Sequence, residues 1–234
     1  MRRKLLAWRD GVASRSPEWA RKTFGPLLDY ADMLLIDHGI FRLAYLNRHR
    51  ITQAAWRSAQ PAPHDIKRMA DEGIKTIINL RGERDCGAFR LQVAACRKYG
   101  IRLEELIVKS RAAPTRAQVH EASDLFERIE YPVLLHCKSG ADRAGLASTL
   151  YLILHEGMPV DRAVAQLGAK FGHFKQADTG IIDAFFQRYL DDTRDRPMPF
   201  IEWVDKVYEP DVVLRSFQAG RWANVVVNTI LRRE

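Results

Sequence analysis

The segment HCKSGADRAG, residues 136–145, decides how the middle of this chain folds. It follows the apolar run VLL (residues 133–135), which predicts a buried strand. Cys137 ends that strand, with Gly140 three residues later and Arg143 six residues later. Helical sequence begins at about Asp142. The segment therefore predicts a tight loop that joins a buried strand to the N-terminus of a helix.

This arrangement predicts an anion site. The first amides of a helix have no internal partner, and they lie at the positive end of the helix dipole. Gly140 lets the backbone curl so that successive N–H groups converge. Arg143 adds a planar cation that suits two phosphate oxygens. The predicted phosphate-binding residues are Lys138, Ser139, Gly140, Ala141, Asp142 and Arg143.

The thiol of Cys137 lies below the predicted anion centre. The amides and the arginine that bind a dianion also stabilise a thiolate, which is the nucleophilic form of cysteine. A thiolate below a bound phosphorus has the geometry for in-line displacement, with a phosphocysteine intermediate. The alternative interpretation is a buried, inert thiol at the end of a strand.

Composition excludes several other classes. The chain has 234 residues, 47% of them hydrophobic and 28% charged, as in a folded domain. No apolar run reaches the roughly 18 residues that cross a bilayer, and Asp10 and Arg15 interrupt the start before a signal peptide forms. The cysteines show no CxxC spacing and the histidines no HExxH spacing. We expect a cytoplasmic protein that uses no metal and no cofactor.

The net charge of +8 lies at the two ends of the chain. Residues 1–24 hold seven Lys or Arg against two acids, residues 214–234 hold four Arg against one Glu, and residues 25–213 are balanced. A balanced centre argues against nucleic-acid binding. Basic and aromatic residues together suggest peripheral contact with the inner face of an anionic membrane. A charge run is usually a solvated face, however, which favours amphipathic helices packed on the body.

Short apolar runs alternate with amphipathic segments along the centre of the chain. This pattern predicts an α/β fold with a central, mostly parallel sheet of about four to five strands flanked by helices. In such sheets ligands bind beyond the C-terminal ends of the strands, where residues 136–145 lie. We expect a helical basic N-terminal extension (1–50) broken near Gly25-Pro26, a central domain (51–193) and a helical basic C-terminal extension (194–234).

His136, Cys137 and Arg143 form an HCx5R pattern that resembles the signature of the cysteine-based protein tyrosine phosphatase superfamily, in its bacterial dual-specificity-phosphatase-like branch. WRSAQP (56–61) and NLRGERD (79–85) also resemble segments of that branch. The resemblance covers about residues 54–175. It implies the cysteine phosphatase fold and hydrolysis of phosphomonoesters by Cys137 and Arg143, through a phosphocysteine intermediate. The substrate it implies is a phosphoprotein (Tyr, Ser or Thr), an inositol phosphate or a phospholipid head group.

The resemblance also implies supporting roles for His136, which orients the loop, and for Arg81, which contacts phosphate. The alternatives are a hydrogen-bonded core histidine and an arginine paired with a surface acid. Cys86 and Cys96 are expected to be inert, or to form a protective disulfide with Cys137 on oxidation.

Two positions depart from the family pattern. Ala144 stands where the family has Ser or Thr, whose hydroxyl helps the thiolate leave, so the second chemical step is expected to be slow. The usual general-acid loop, here residues 108–114, contains no carboxylate. Asp142 is the candidate acid, as in myotubularin-type lipid phosphatases; the alternative is a helix N-cap. A non-catalytic, phosphate-binding pseudophosphatase is the alternative for the whole chain.

Further cations around the predicted pocket are Lys138, Lys109 and Arg111, which suit a substrate with several phosphates. Residues 173–175 (HFK) are expected to return towards the rim of the pocket as a surface loop.

Overall fold

The structure is a computed structural model, and it describes residues 18–37 and 39–219. The described residues form one sheet of five strands in the order β1-β2-β5-β3-β4. The strands are β1 (His49–Arg50), β2 (Ala55–Ala59), β3 (Thr76–Asn79), β4 (Arg102–Glu105) and β5 (Val133–Cys137). β1 is antiparallel to β2, and every other neighbouring pair is parallel. The predicted α/β class with a mostly parallel sheet is confirmed.

Helices flank this sheet. They are α1 (Glu18–Ala31), α2 (Gly39–Ala44), α3 (Pro63–Asp71), α4 (Gly87–Tyr99), α5 (Arg116–Arg128), α6 (Asp142–Leu154), α7 (Val160–Ala163), α8 (Ile181–Asp192) and α9 (Phe200–Lys206). A π-helical turn (Asp32–Ile36) follows α1, and residues 210–219 are helical. None of the described helices is both long enough and apolar enough to cross a bilayer.

The central strand β5 is buried along its whole length, as its apolar run predicts. Val133, Leu135 and Cys137 face the larger core, which α5, α6, α8 and α9 cover. Leu134 faces the smaller core under α3 and α4. This alternation follows from the two-residue period of a strand. It places the thiol of Cys137 at the C-terminal edge of the sheet, beside the start of α6.

The described part of the N-terminal extension packs on α4. The Asp32 carboxylate accepts a hydrogen bond from the backbone N–H of Gly87, and Arg90 pairs with Asp29 at 2.6 Å. The predicted break near Gly25-Pro26 is wrong, because α1 continues through both residues. A proline removes one backbone hydrogen bond from a helix, and here it does not end the helix, which packs on α4.

The described part of the C-terminal extension also joins the core. Trp203 is fully buried, with Phe185 and Phe200 against its ring. Residues 1–17 and 220–234, on which most of the expected membrane contact depends, lie outside the described residues. The three domain boundaries stay predictions.

Candidate active site

The loop after β5 has the predicted conformation. α6 begins at Asp142, and Gly140 has a φ of +76°, in the left-handed region that favours glycine. A Cβ atom on Gly140 would lie 2.6 Å from the backbone nitrogen of Ala59 and 2.7 Å from the carbonyl carbon of Ser58. The loop therefore packs against the end of β2 at a distance that only glycine permits.

A loop that turns its amides towards an anion turns its carbonyl oxygens away, and these oxygens need donors within the protein. Each of the four loop carbonyls has one. The carbonyl oxygen of Lys138 accepts from the backbone N–H of Gln60 at 3.5 Å, and that of Ser139 accepts from Nδ2 of Asn47 at 2.9 Å. The carbonyl oxygens of Gly140 and Ala141 both accept from Nη2 of Arg57, at 2.9 and 2.8 Å. The carbonyl side of the loop is thus fixed.

Arg57 is a fully buried cation behind this loop. Its guanidinium also donates to Gln166, and its Cζ lies 4.0 Å from the centroid of the Phe171 ring. Burial lowers the pKa of Arg57 to about 10, against an opposing effect of the negative charges of Cys137 and Asp142. The side chain is therefore cationic at neutral pH. It brings a positive charge towards the thiol from the side opposite the predicted anion site.

His136 is fully buried and belongs to a chain of side-chain hydrogen bonds. Arg81 donates to Gln60, Nε2 of Gln60 donates to Gln92 at 3.1 Å, and Nε2 of Gln92 lies 2.6 Å from Nε2 of His136. An amide nitrogen only donates, so Nε2 of His136 accepts and the proton is on Nδ1. That nitrogen lies 3.3 Å from the carbonyl oxygen of Cys137. Burial lowers the pKa of His136 to about 3, which keeps the ring neutral.

Arg81 pairs with a carboxylate, but that carboxylate is buried rather than at the surface. Both of its terminal nitrogens lie 2.9 Å from the oxygens of Asp37. Asp37 also accepts from Arg42 at 2.9 Å, and Nζ of Lys138 lies 3.6 Å away. Burial by itself would raise the pKa of Asp37, but the hydrogen bond and charge of Arg81, with Arg42 and Lys138, lower it to about 2. A direct phosphate contact by Arg81 stays a prediction.

Asp142 is the first residue of α6, and the N-cap position belongs to Ala141. The N-cap interpretation of Asp142 is therefore wrong. Oδ1 of Asp142 lies 2.8 Å from Nδ1 of His173 instead, and Nε2 of His173 lies 2.7 Å from Oδ2 of Asp183. His173 is only 2% exposed, so the surface-loop interpretation is also wrong for it. Residues 173–175 do return to the loop, as expected, and Phe174 is exposed.

Arg143 is half-buried at the start of α6. Within residues 18–37 and 39–219 its guanidinium has no hydrogen-bond or ion-pair partner, so it is available to a bound dianion. Burial and the positive charges of Arg81 and Arg143 lower the pKa of Arg84, which shows that Arg84 lies close enough to Arg143 to feel its charge. Arg84 was not among the residues predicted for the site, and the only signal for it in the sequence was its place within NLRGERD (79–85).

Ala144 is fully buried and supplies no hydroxyl group. Lys109 and Arg111 are exposed on the loop between β4 and α5. Cys86 and Cys96 are buried free thiols, and burial raises the pKa of Cys96 to about 12, as suits an inert cysteine.

Residues 45–182 match the family described as "DSP-PTPase phosphatase fused to NAD+ Kinase". Among curated proteins, the dual specificity protein phosphatase TpbA of Pseudomonas aeruginosa is 24% identical over 159 residues. That match covers 67% of this chain and 60% of TpbA, so the chain spans about three fifths of the length of this relative.

Two solved structures that resemble this chain have lower sequence identity to it than the curated relative has. The crystal structure of TpbA from P. aeruginosa superimposes with a TM-score of 0.49 and 20% identity, covering 62% of this chain and 86% of that one. PTPMT1 gives a TM-score of 0.47 and 18% identity, covering 64% and 99%. The family match covers residues 45–182, which is more than half of the sequence. It includes Asn47, Asp142 and His173. The chain therefore belongs to the dual-specificity, cysteine-based protein tyrosine phosphatase family described as DSP-PTPase fused to NAD+ kinase.

Proposed function

We propose that this chain is a phosphoric monoester hydrolase that acts through a phosphocysteine intermediate. One observation carries the proposal: the protein holds all four carbonyls of the loop from behind. The amide side of the loop is thereby left to an anion, with Cys137 at its base and, at its edge, Arg143, which has no partner in the part of the chain that the structure describes.

In the first step the Cys137 thiolate attacks phosphorus and the P–O bond to the leaving group breaks. Arg143 binds two oxygens of the transferred phosphoryl group. Asp142 gives a proton to the leaving oxygen. In the second step water attacks phosphorus, the S–P bond breaks and the thiolate is restored. Ala144 offers no hydroxyl to this second step, which we infer to be the slower one.

The substrate class is a phosphoprotein, an inositol phosphate or a phospholipid head group. The name of the curated relative, a dual specificity protein phosphatase, supports phosphoprotein. The positive charges of Lys138 and Arg84 near the loop support a polyanionic substrate. We also propose that the protein is cytoplasmic and that its basic ends contact an anionic membrane. Measuring kcat/KM on phosphopeptides, inositol phosphates and phosphoinositide vesicles would show which of these substrate classes the protein prefers.

The decisive test is steady-state hydrolysis of an aryl phosphate in the presence of a chelator. Cys137→Ser is expected to abolish turnover while inorganic phosphate still binds, because the amides and Arg143 remain. Cys86→Ser is the matched control and is expected to keep full activity, since Cys86 occupies the N-cap of α4, where serine is favoured. Turnover in Cys137→Ser would refute the covalent mechanism. Phosphate binding without turnover in the wild type would establish the pseudophosphatase alternative.

A further inference from the structure

A buried imidazole lies between two carboxylates beside the phosphate loop. The His173 side chain is 1% exposed, whereas those of Asp142 and Asp183 are 25% and 28% exposed. Asp142 begins α6 and Asp183 lies in the first turn of α8. The histidine thus joins the loop to a helix on another part of the fold, and the carboxylate of Asp142 is accessible from solvent.

Both ring nitrogens of His173 must donate. Nδ1 lies 2.8 Å from Asp142 and Nε2 lies 2.7 Å from Asp183, and ionised carboxylates only accept hydrogen bonds. The ring is therefore an imidazolium. Burial by itself would lower the pKa of His173, but its hydrogen bonds to Asp142 and Asp183 and their charges raise it to about 9.

The loop that carries His173 is fixed in place. Phe171 packs its ring against the Arg57 guanidinium, and its carbonyl accepts a hydrogen bond of 2.9 Å from Asn47. Gly172 has a φ of +80° and lies against Ala141. Arg57 and Asn47, which hold the phosphate loop, therefore also hold the segment that leads to His173.

We propose that Asp142 and His173 form one proton-donating unit, in which Asp142 is the group that contacts the leaving oxygen and His173, held by Asp183, is the positioning residue that keeps the unit protonated. The inference rests on the proposed function. A lone aspartate, with an ordinary pKa of about 3.9, carries no proton at neutral pH. The hydrogen-bonded pair carries one, and its titration belongs to the pair.

The protons balance over the two steps. As the P–O bond breaks, the carboxylate of Asp142 passes the Nδ1 proton of His173 on to the leaving oxygen, so Asp142 is again ionised at the end of the step. The ring is then neutral and keeps its Nε2 proton, which it still donates to Asp183. When water attacks the phosphocysteine, its proton passes to Asp142 and on to Nδ1. The imidazolium is restored, and the Cys137 thiolate leaves without a proton.

Among the described residues, charged groups from three elements act on this unit. Asp142 comes from α6 and Asp183 from α8, and the positive charge of Arg57 acts on Asp142 from β2. Because Arg57 has a pKa of about 10, it stays charged over the neutral range. The pH at which the unit loses its proton is therefore determined by Asp142 and His173 themselves.

The test compares pH profiles of kcat/KM for His173→Gln on two substrates that differ in leaving group. With phenyl phosphate, a poor leaving group, we expect about a 100-fold loss and a basic limb that moves from near pH 9 in the wild type to lower pH. With p-nitrophenyl phosphate, whose leaving group needs little protonation, we expect little change. Asp183→Asn should fall between the wild type and His173→Gln.

His120→Gln is the matched control, because His120 makes a similar 2.7 Å pair with Asp205 on the exposed side of α5. It should leave both profiles unchanged. Thermal unfolding and inorganic phosphate binding establish that each variant is folded. Equal losses on both substrates with an unmoved basic limb would overturn the inference and leave a purely structural histidine. If Asp142→Asn shows the leaving-group dependence and His173→Gln does not, the inference fails while the proposed function stands.

Discussion

The guanidinium of Arg57 donates a hydrogen bond of 2.9 Å to the carbonyl oxygen of Gly140. This contact fixes the back of the phosphate loop, whereas Arg143 stands at the front with no partner among the described residues. The loop thus lies between two arginines that have different functions. The buried one holds the backbone, and the half-buried one is left to the anion.

Arg57→Lys is expected to lower kcat/KM, because an ammonium cannot hold both carbonyls and Gln166 with a planar fork. Arg57→Met removes the charge as well and leaves buried carbonyls without a donor, which costs on the order of 2 kcal/mol of unfolding free energy. Urea unfolding and aryl phosphate turnover measure the two effects. Arg50→Met, at an exposed arginine of β1, is the control. If Arg57→Met retained wild-type turnover, the role of Arg57 in fixing the loop would be refuted.

The sequence predicted the parts of the site that are local. β5, the loop and the start of α6 are contiguous, so residues 136–145 contain their own signal. Arg57 was present only in WRSAQP, a motif with no assigned role, since its partners Gly140 and Ala141 lie 83 and 84 residues further along the chain. Asn47 lies 92 residues before Ser139. Contacts of this kind depend on how β2 pairs with β5, which no local pattern encodes.

The errors at Asp142 and His173 have the same origin. An aspartate at the start of a helix is a common N-cap, and a short polar segment is usually a surface loop. The two side chains lie 31 residues apart in the sequence, and they meet only because Gly172 lies beside Ala141 in the folded chain. The prediction that His136 is buried and hydrogen-bonded was correct. A residue near the end of a central strand is covered by its neighbours on both faces of the sheet, so a polar side chain there needs a hydrogen-bond partner.

Gly140→Ala is expected to abolish most activity and to weaken inorganic phosphate binding. The new Cβ would lie 2.6 Å from a backbone nitrogen of β2, which cannot move aside as a side chain can. Gly157→Ala is the matched control, since it also has positive φ (+65°) but nothing within 4 Å of a Cβ. It should cost about 1 kcal/mol in unfolding free energy and leave turnover normal. Equal activity in the two variants would contradict the close packing of the loop on β2.

Ala144→Ser tests the slow second step. Rapid mixing of the wild type with an aryl phosphate should give a burst of phenol followed by a slower steady rate. A hydroxyl at residue 144 should raise the steady rate and leave the burst rate unchanged, because it acts only when the thiolate leaves. Ala147→Ser, at an equally buried alanine of α6, controls for the cost of a buried hydroxyl. A wild type without a burst would show that the first step is the slower one.

Removing His173 should also change how stability depends on pH. Its pKa is about 9 in the folded protein and about 6.5 in the unfolded chain. Because the folded state binds the proton more tightly, the stabilisation is fully present below pH 6.5 and is lost as the pH rises through 9. Linkage gives on the order of 3 kcal/mol for this loss. His136 does not interfere, since its pKa of about 3 confines its effect to pH values below 6.5.

Urea unfolding of the wild type and His173→Gln at pH 6 and pH 9.5 measures this loss. Between pH 6 and pH 9.5 the free energy of unfolding of the wild type should fall by more than that of the variant. Subtracting the change seen in the variant removes the contribution of tyrosines and lysines, because these titrate in both proteins. The gap between the two proteins should therefore be largest at pH 6 and smallest at pH 9.5. A gap that stays constant over this range would mean that folding leaves the pKa of His173 at its unfolded value, so that the ring is neutral above about pH 6.5. The ion pairs of His173 with Asp142 and Asp183 would then be excluded, and with them the proton that the pair is proposed to supply.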